Sequence, residues 1–420
     1  MPKQKEIEVE DINNKKDDSS SPKFTAPVKI DSPEFELLIA EIARDAAERR
    51  NASSEARPFY AIDLIKQSRL SALQLPIEYG GSNVSIRDLF YVVVRLAEAD
   101  PDVAHILRAH YGYVEQFLRE SNNEERRKTW LARIAEGAII GNAFTEISSK
   151  NVGNLVFETT LSPDGDGYRL NGTKYFSTGT LYSDYVVVMA STPEGLPISA
   201  IIPTNREGVS LEDDWDGIGQ RLTGSGTTRL HNVFVTSEEV IELSGDKTPF
   251  NSFVQLYLHA VIVGILRNVV SDAAALVKGR SRTFSYAAAD IPREDPQLLQ
   301  VIGEISSIAY AAEATLLAAA DSLDIAVNAA VDGVIDYSLS HNASLKTSQA
   351  KVIIDELALK SASLLFEVGG ASATKQSAHL DRHWRNIRTL ASHNPTVYKA
   401  RVIGGYVVNG TELPLKEVYF

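Results

Sequence analysis

Three stretches, 250–282, 295–331 and 336–368, each repeat Ala, Leu and Ile at three-to-four-residue spacing for more than thirty residues. None holds a proline beyond its first turn. That period belongs to helices and not to strands. Helices this long bury their apolar faces against one another, so the C-terminal half predicts a four-helix bundle over 246–405, followed by a short tail, 406–420. One bundle cannot cover every apolar face of such helices, so they also predict an oligomer interface.

The N-terminal part reads differently. Residues 1–30 are charged and polar, cannot bury enough apolar surface to offset the entropy of ordering, and are expected to be a disordered tail. Ser32-Pro33 is a favoured helix start, and amphipathic helices follow to Gly137, defining a helical domain over 31–138. From Ala138 the pattern shortens into β-rich runs such as DYVVVMAST and ISAIIPTN, separated by turn chemistry at Gly165-Asp166-Gly167 and Asn171-Gly172. An antiparallel β-sandwich or barrel is expected over 139–245. The fold class is therefore α+β, with helical, β and helical-bundle parts in that order.

Composition removes several functions. The chain has 42 Lys+Arg against 55 Asp+Glu, a net charge of −13, which argues against nucleic-acid binding. No cysteine is present, so disulfides, thiolate nucleophiles and Fe–S clusters are excluded. The eight histidines form no metal-ligand spacing. No apolar run is expected to span a membrane, and no secretory signal is read at the N-terminus, which points to a cytoplasmic protein.

Several strings resemble the acyl-CoA dehydrogenase superfamily: LPIEYGG, FTE at 144–146, NGTKYFSTG, IGQRLTGSGTTRLHNVFV and RHWRNIRT. Dehydrogenases of this fold often place their catalytic carboxylate in a Tyr-Glu-Gly-Thr turn after the Arg-rich helix. Here that turn reads Ser392-His393-Asn394-Pro395-Thr396. Asn394 stands at the glutamate position, and an amide cannot take a proton at neutral pH. The full string RHWRNIRTLASHNPTVYK, with DDWDGIGQRLTGSGTT and the isolated GNA at 141–143, is similar instead to the flavin-dependent monooxygenase branch. That branch includes dibenzothiophene-, sulfone- and amine-oxygenating enzymes.

The resemblance implies a two-component system. A separate NAD(P)H-dependent flavin reductase supplies reduced FMN, O₂ is held as a C4a-hydroperoxyflavin, and one oxygen atom passes to a small organosulfur, amine or aromatic substrate. It further implies a homotetramer. The alternative is an FAD-dependent acyl-CoA dehydrogenase-like enzyme. A group that manages the peroxide proton is required, and histidine suits it. His393 is the first candidate and His110 the second. His105 lies about 140° away from His110 around a helix. His231, His379 and His383 are read as structural.

Thr178 matches a flavin-facing hydroxyl on a strand, with Ser177 on the opposite face. Asn142 is a candidate for holding substrate or peroxide. Trp215 and Phe176 are candidate ring walls or, equally, core. For the flavin and its phosphate the candidates are Ser225, Arg282, Asn394 and the kink Gly369-Gly370, with Lys375 as a further cation.

Overall fold

The computed structural model describes residues 24, 27–52, 56–120, 123–147, 153, 155–241, 249–331, 334–415, 417–418 and 420. Of the tail expected to be disordered over 1–30, residues 24 and 27–30 are described and correct that expectation, since Val28 is buried in the helical core and its N donates to Ser68 O at 3.0 Å; the rest lies outside the described residues, as do positions 148–152 and 154 of the ISSKNVGN segment. Six helices come first: α1 (Pro33–Asn51), α2 (Phe59–Gln67), α3 (Ile86–Ala99), α4 (Pro101–Ile106), α5 (Arg108–Arg119) and α6 (Glu124–Ala135). The Ser32 hydroxyl accepts from Phe35 N at 3.1 Å, with Pro33 in the first turn, so α1 starts where its cap signal placed it.

Eight strands follow: β1 (Ile140–Ala143), β2 (Thr160–Asp164), β3 (Gly167–Lys174), β4 (Tyr185–Ser191), β5 (Pro197–Pro203), β6 (Val209–Leu211), β7 (Thr228–Thr236) and β8 (Val240–Ile241). Their order is β6-β7-β3-β2-β4-β5-β8, with β1 also paired to β4. The sheet is mixed: β1 runs parallel to β4, and β2 meets β4 in parallel at the single pair Thr160–Ser191. The sheet turns at that narrow junction. Leu161, Leu170, Val233 and Val235 from one side then pack on Val186, Val188, Ala200 and Ile202 from the other. Alternation sends Val187 and Ile201 to the opposite face, against Trp130, Leu131 and Ile134 of α6.

The chain closes with α7 (Phe250–Gly279), α8 (Pro296–Asn328), α9 (Tyr337–Gly369), α10 (Asp381–Ala391) and α11 (Thr396–Asn409). The three long helices pack on one another, on α10 and on α3, so bundle and N-terminal helices share one core. Phe90 of α3 sits 5.1 Å from Phe253 of α7, ring centre to ring centre. Asp324 of α8 caps α3 from outside: its two carboxylate oxygens accept from Ile86 N and Arg87 N at 2.8 and 2.9 Å. These are donors that a helix start cannot pair internally. Asp324→Ala should cost about 1–2 kcal/mol, read as a lower urea midpoint at unchanged slope.

One expectation needs correction. Both α7 and α8 contain an 18-residue window apolar enough to cross a membrane by length and composition. The α7 window is mostly buried beneath α3, α8 and α9, which explains its composition as that of a core helix. The α8 window is mostly uncovered, with Tyr310 78% exposed.

Candidate active site

The helical domain, the β-domain and the bundle converge at the α4–α5 junction. After β3 the chain leaves extended geometry. Phe176 adopts a left-handed backbone (φ 57°), which costs a side-chain-bearing residue about 1 kcal/mol. Gly179 (φ 81°) then brings the turn against the Ile106 carbonyl, where a Cβ would collide. This turn carries Thr178. Its hydroxyl lies 2.8 Å from that of Ser225, which in turn lies 2.7 Å from that of Thr223. The structure thus joins two sequence-derived candidates, Thr178 and Ser225, and adds Thr223. Thr178 stands in a turn and not on a strand. Strand alternation therefore does not apply there, and Ser177 is buried.

Trp215 and Phe176 also meet, edge to face, with ring centres 5.8 Å apart. Phe176 is largely exposed and Trp215 half-buried, so the pair stands at the surface and is not core packing. Trp215 Nε1 donates to Gly219 O at 3.2 Å. The next residue, Gln220, has a left-handed backbone (φ 52°) and is held from three sides. Its N donates to Asn386 Oδ1 (2.8 Å), its O accepts from the Thr223 hydroxyl (2.8 Å), and its Oε1 accepts from His105 Nδ1 (3.0 Å). His105 is therefore a neutral ring, its pKa pushed down to about 3 by burial and then by the Arg108 charge.

Arg108, at the start of α5, ties α7 to the turn between α10 and α11. Its Nε donates to Val254 O at 2.8 Å, and its Nη1 donates to His393 Nε2 at 3.2 Å. An arginine can only donate, so His393 Nε2 accepts and the neutral ring carries its proton on Nδ1. His393 is wetted by solvent, yet protein encloses it closely. Burial first, then the charge on Arg108, holds its pKa well below the ordinary histidine value. Arg108 went unnoticed in the sequence, its only signal being a cation directly after the segment Val103-Ala104-His105-Ile106-Leu107.

Asn394 is buried, and its Nδ2 donates to Gln255 Oε1 of α7 at 2.7 Å. Asn142 receives the Tyr113 hydroxyl on Oδ1 at 2.8 Å, and its backbone N donates to the Thr180 hydroxyl at 3.1 Å. That bond sets Asn142 two residues along the chain from Thr178. Tyr113 is the other site residue that the sequence did not disclose.

His110 has a different task from the one its position suggested. It is fully buried; Nε2 donates to Ser71 O (2.9 Å) and Nδ1 accepts from Ile140 N (3.3 Å). Both ring nitrogens are spent on backbone, and burial lowers the pKa to about 4. The ring fastens β1 to the helical domain and has no nitrogen left for a reacting group.

Arg282 and Gly369-Gly370 stand elsewhere. Gly369 packs on Leu276 near the C-terminal end of α7, where Arg280 Nη1 donates to Val368 O at 2.8 Å. Arg282 is exposed in the loop just beyond, with no ion pair among the described residues. Val254, the α7 residue that meets Arg108, is 25 residues before Gly279, so roughly 40 Å of helix separates the two ends.

Three buried polar atoms of this region have no hydrogen-bond partner: Ser177 Oγ, Gln220 Nε2 and Asn394 Oδ1. Leaving such atoms unpaired costs about 1–3 kcal/mol each. A planar heteroaromatic ring that carries both acceptors and a donor, as an isoalloxazine does, would satisfy them. The residues present thus fit a flavin. Among the described residues no three His, Asp or Glu side chains converge to hold a metal.

The chain matches all three domains of the acyl-CoA dehydrogenase family: the N-terminal domain over 36–138, the middle domain over 142–233 and the C-terminal domain over 256–397. It is 32% identical over 362 residues to dibenzothiophene monooxygenase of Mycolicibacterium goodii, covering 82% of this chain and 86% of that one. It is 29% identical to SfnC, a probable FMNH₂-dependent monooxygenase of Pseudomonas putida, over 89% and 93% of the two chains. Among solved structures it resembles TdsC of Paenibacillus sp. A11-2 in complex with FMN and indole. The TM-score is 0.84 at 25% identity, over 93% of this chain and all of that one.

Proposed function

The chain belongs to the acyl-CoA dehydrogenase family, and from that premise we infer that it is an FMNH₂-dependent monooxygenase. It works with a separate flavin reductase and oxygenates a small organic substrate. The observation that carries this reading is the turn at 393–394. Where a dehydrogenase needs a carboxylate, the chain has an amide whose nitrogen donates to Gln255. Beside it stands a histidine kept neutral and faced by Arg108. Relatives named as FMNH₂-dependent and dibenzothiophene monooxygenases support the same assignment over acyl-CoA oxidation.

Reduced FMN, when bound, supplies the electrons that activate O₂, so that one oxygen atom reaches the substrate and the other leaves as water. The residues of this chain supply the rest. Thr178, Ser225, Ser177, Gln220 and Asn394 would hold the ring by hydrogen bonds, and Trp215 with Phe176 would wall it from water. Asn142, oriented by Tyr113, presents its amide Nδ2 to the reacting oxygen or the substrate. His393 exchanges a proton at Nδ1, with Arg108 fixing the tautomer. The substrate classes that its relatives suggest are organosulfur compounds, amines and aromatic rings.

We further assign a homotetrameric, cytoplasmic enzyme. Helix α11 leaves Val397, Val407 and Val408 between 70% and 79% exposed, and α8 leaves Tyr310 and Ile325 uncovered. Apolar surface on two helices that each pack against α9 suits burial against further copies. Arg282, at the far end of α7, then meets flavin phosphate in the site of another copy and not in its own.

Anaerobic titration tests the assignment directly. An oxygenase fed by a reductase must capture reduced FMN and release the oxidised form, so reduced FMN should bind at least tenfold more tightly. Equal affinity for both forms, or bleaching of bound flavin by an acyl-CoA, would count for the dehydrogenase reading.

A further inference from the structure

Behind the His393 turn lies a polar network that binding and proton transfer do not use. Lys351 and Asp355 stand one turn apart on α9, with 2% and 4% of their surfaces exposed, among Ile354, Ala358 and other apolar neighbours. Lys351 Nζ donates to Asp355 Oδ2 at 2.8 Å and to Ala391 O at 3.1 Å. Asp355 Oδ2 also accepts the Thr396 hydroxyl at 2.6 Å, and Oδ1 lies 3.3 Å from His259 Nε2. His259 Nδ1 in turn lies 3.0 Å from Gln255 O, and the Gln255 side chain holds Asn394.

The contacts have a pattern. Ala391, Asn394 and Thr396 are gripped before, beside and after His393, and all the grips run back to one buried carboxylate and one glutamine. Burial alone would raise the Asp355 pKa, but His259 and Lys351 outweigh it and hold it near 2, so the carboxylate is charged. A buried ion pair is a poor source of stability, since apolar residues of similar size commonly do as well or better. A bundle that required only cohesion here would carry Leu or Met at 351 and 355. What the pair supplies instead is a fixed location for a short turn whose backbone N–H groups, such as His393 N to Leu390 O, reach backward into α10.

We propose that Lys351 and Asp355, with Gln255, are positioning residues that set the ring of His393 in the reaction cleft, clamping the turn on both sides of it. This rests on His393 acting in oxygenation. Thr396→Val is the mildest test, because it removes one hydroxyl and leaves the ion pair intact. A displacement of about an ångström at a reacting group costs up to a hundredfold, so the loss of one of three grips should slow product formation about tenfold. Oxygen should appear instead as hydrogen peroxide, while melting temperature and FMN affinity hold at parent values.

The ring signals of His393 in ¹⁵N-histidine spectra should move, and Thr396→Ser should restore both coupling and spectrum. The double variant Lys351→Met/Asp355→Leu, which removes the pair without stranding a charge, should fold and uncouple further. If that double variant does not fold, the Thr396 pair decides alone. Parent coupling and an unmoved His393 spectrum in Thr396→Val would overturn the clamp. His393→Ala separates the two readings: if it uncouples the enzyme while Thr396→Val does not, only the clamp fails; if it too leaves coupling intact, the role of His393 fails.

Discussion

His393→Ala should keep the fold and the FMN affinity of the parent yet lose on the order of a hundred- to ten-thousand-fold in oxygenation rate, the usual cost of removing a positioned acid–base group. The consumed O₂ should accumulate as hydrogen peroxide. Folding should be spared because the ring reaches the cleft, and its neighbours Asn394 and Thr396 carry the buried contacts. The parent pH profile should agree. Burial, then the Arg108 charge, depresses the His393 pKa, so the ring stays neutral as pH falls through 6.5 and protonates only well below it. The acid limb of the rate should therefore lie well under 6.5. A limb centred at 6.5, or a His393→Ala enzyme coupled as well as the parent, would take His393 out of the mechanism. His110 could not replace it, since both of its nitrogens bond backbone.

Periodicity disclosed the fold because each long helix repeats its own burial pattern. The bundle helices α7, α8 and α9 fall within three residues of the runs read from sequence, the largest differences being at Gly279 and Asn328, where α7 and α8 stop three residues early. The local signal weakens where geometry departs from repetition. Alternation failed after Lys174 because Phe176 turns left-handed and drops Thr178 into a turn. The turn that carries His393 was legible as a short, unusual motif, and the structure places it between α10 and α11. At His110 the residue type was right, but its partners, Ser71 and Ile140, lie 39 and 30 residues away.

Arg108, Tyr113, Lys351 and Asp355 went unseen for the same reason. A Lys and an Asp four apart read as an ordinary surface pair on any helix, until packing buries them.

A mixed oligomer should work where neither of its parents does. Arg282→Ala should weaken FMN binding by about 1.5–3 kcal/mol, roughly ten- to a hundredfold, through loss of a charge-assisted phosphate contact. At limiting FMN that variant is nearly inactive, and His393→Ala is inactive for its own reason. Within one chain, some 40 Å of α7 divides Arg282 from the Arg108–His393 pair. If a partner supplies Arg282, a protomer of the Arg282→Ala chain keeps its own His393 and borrows an intact arginine from a neighbouring His393→Ala chain. Co-expression then rebuilds one parent-like site in each mixed pair, about half the parent activity per pair at an FMN concentration where each variant alone gives a few per cent. If the arginine serves its own chain, every site in the mixture lacks one group or the other, and mixing gives only the average of two inactive enzymes. Light scattering that finds only a single 46 kDa chain would remove the partner altogether, and with it the place assigned to Arg282.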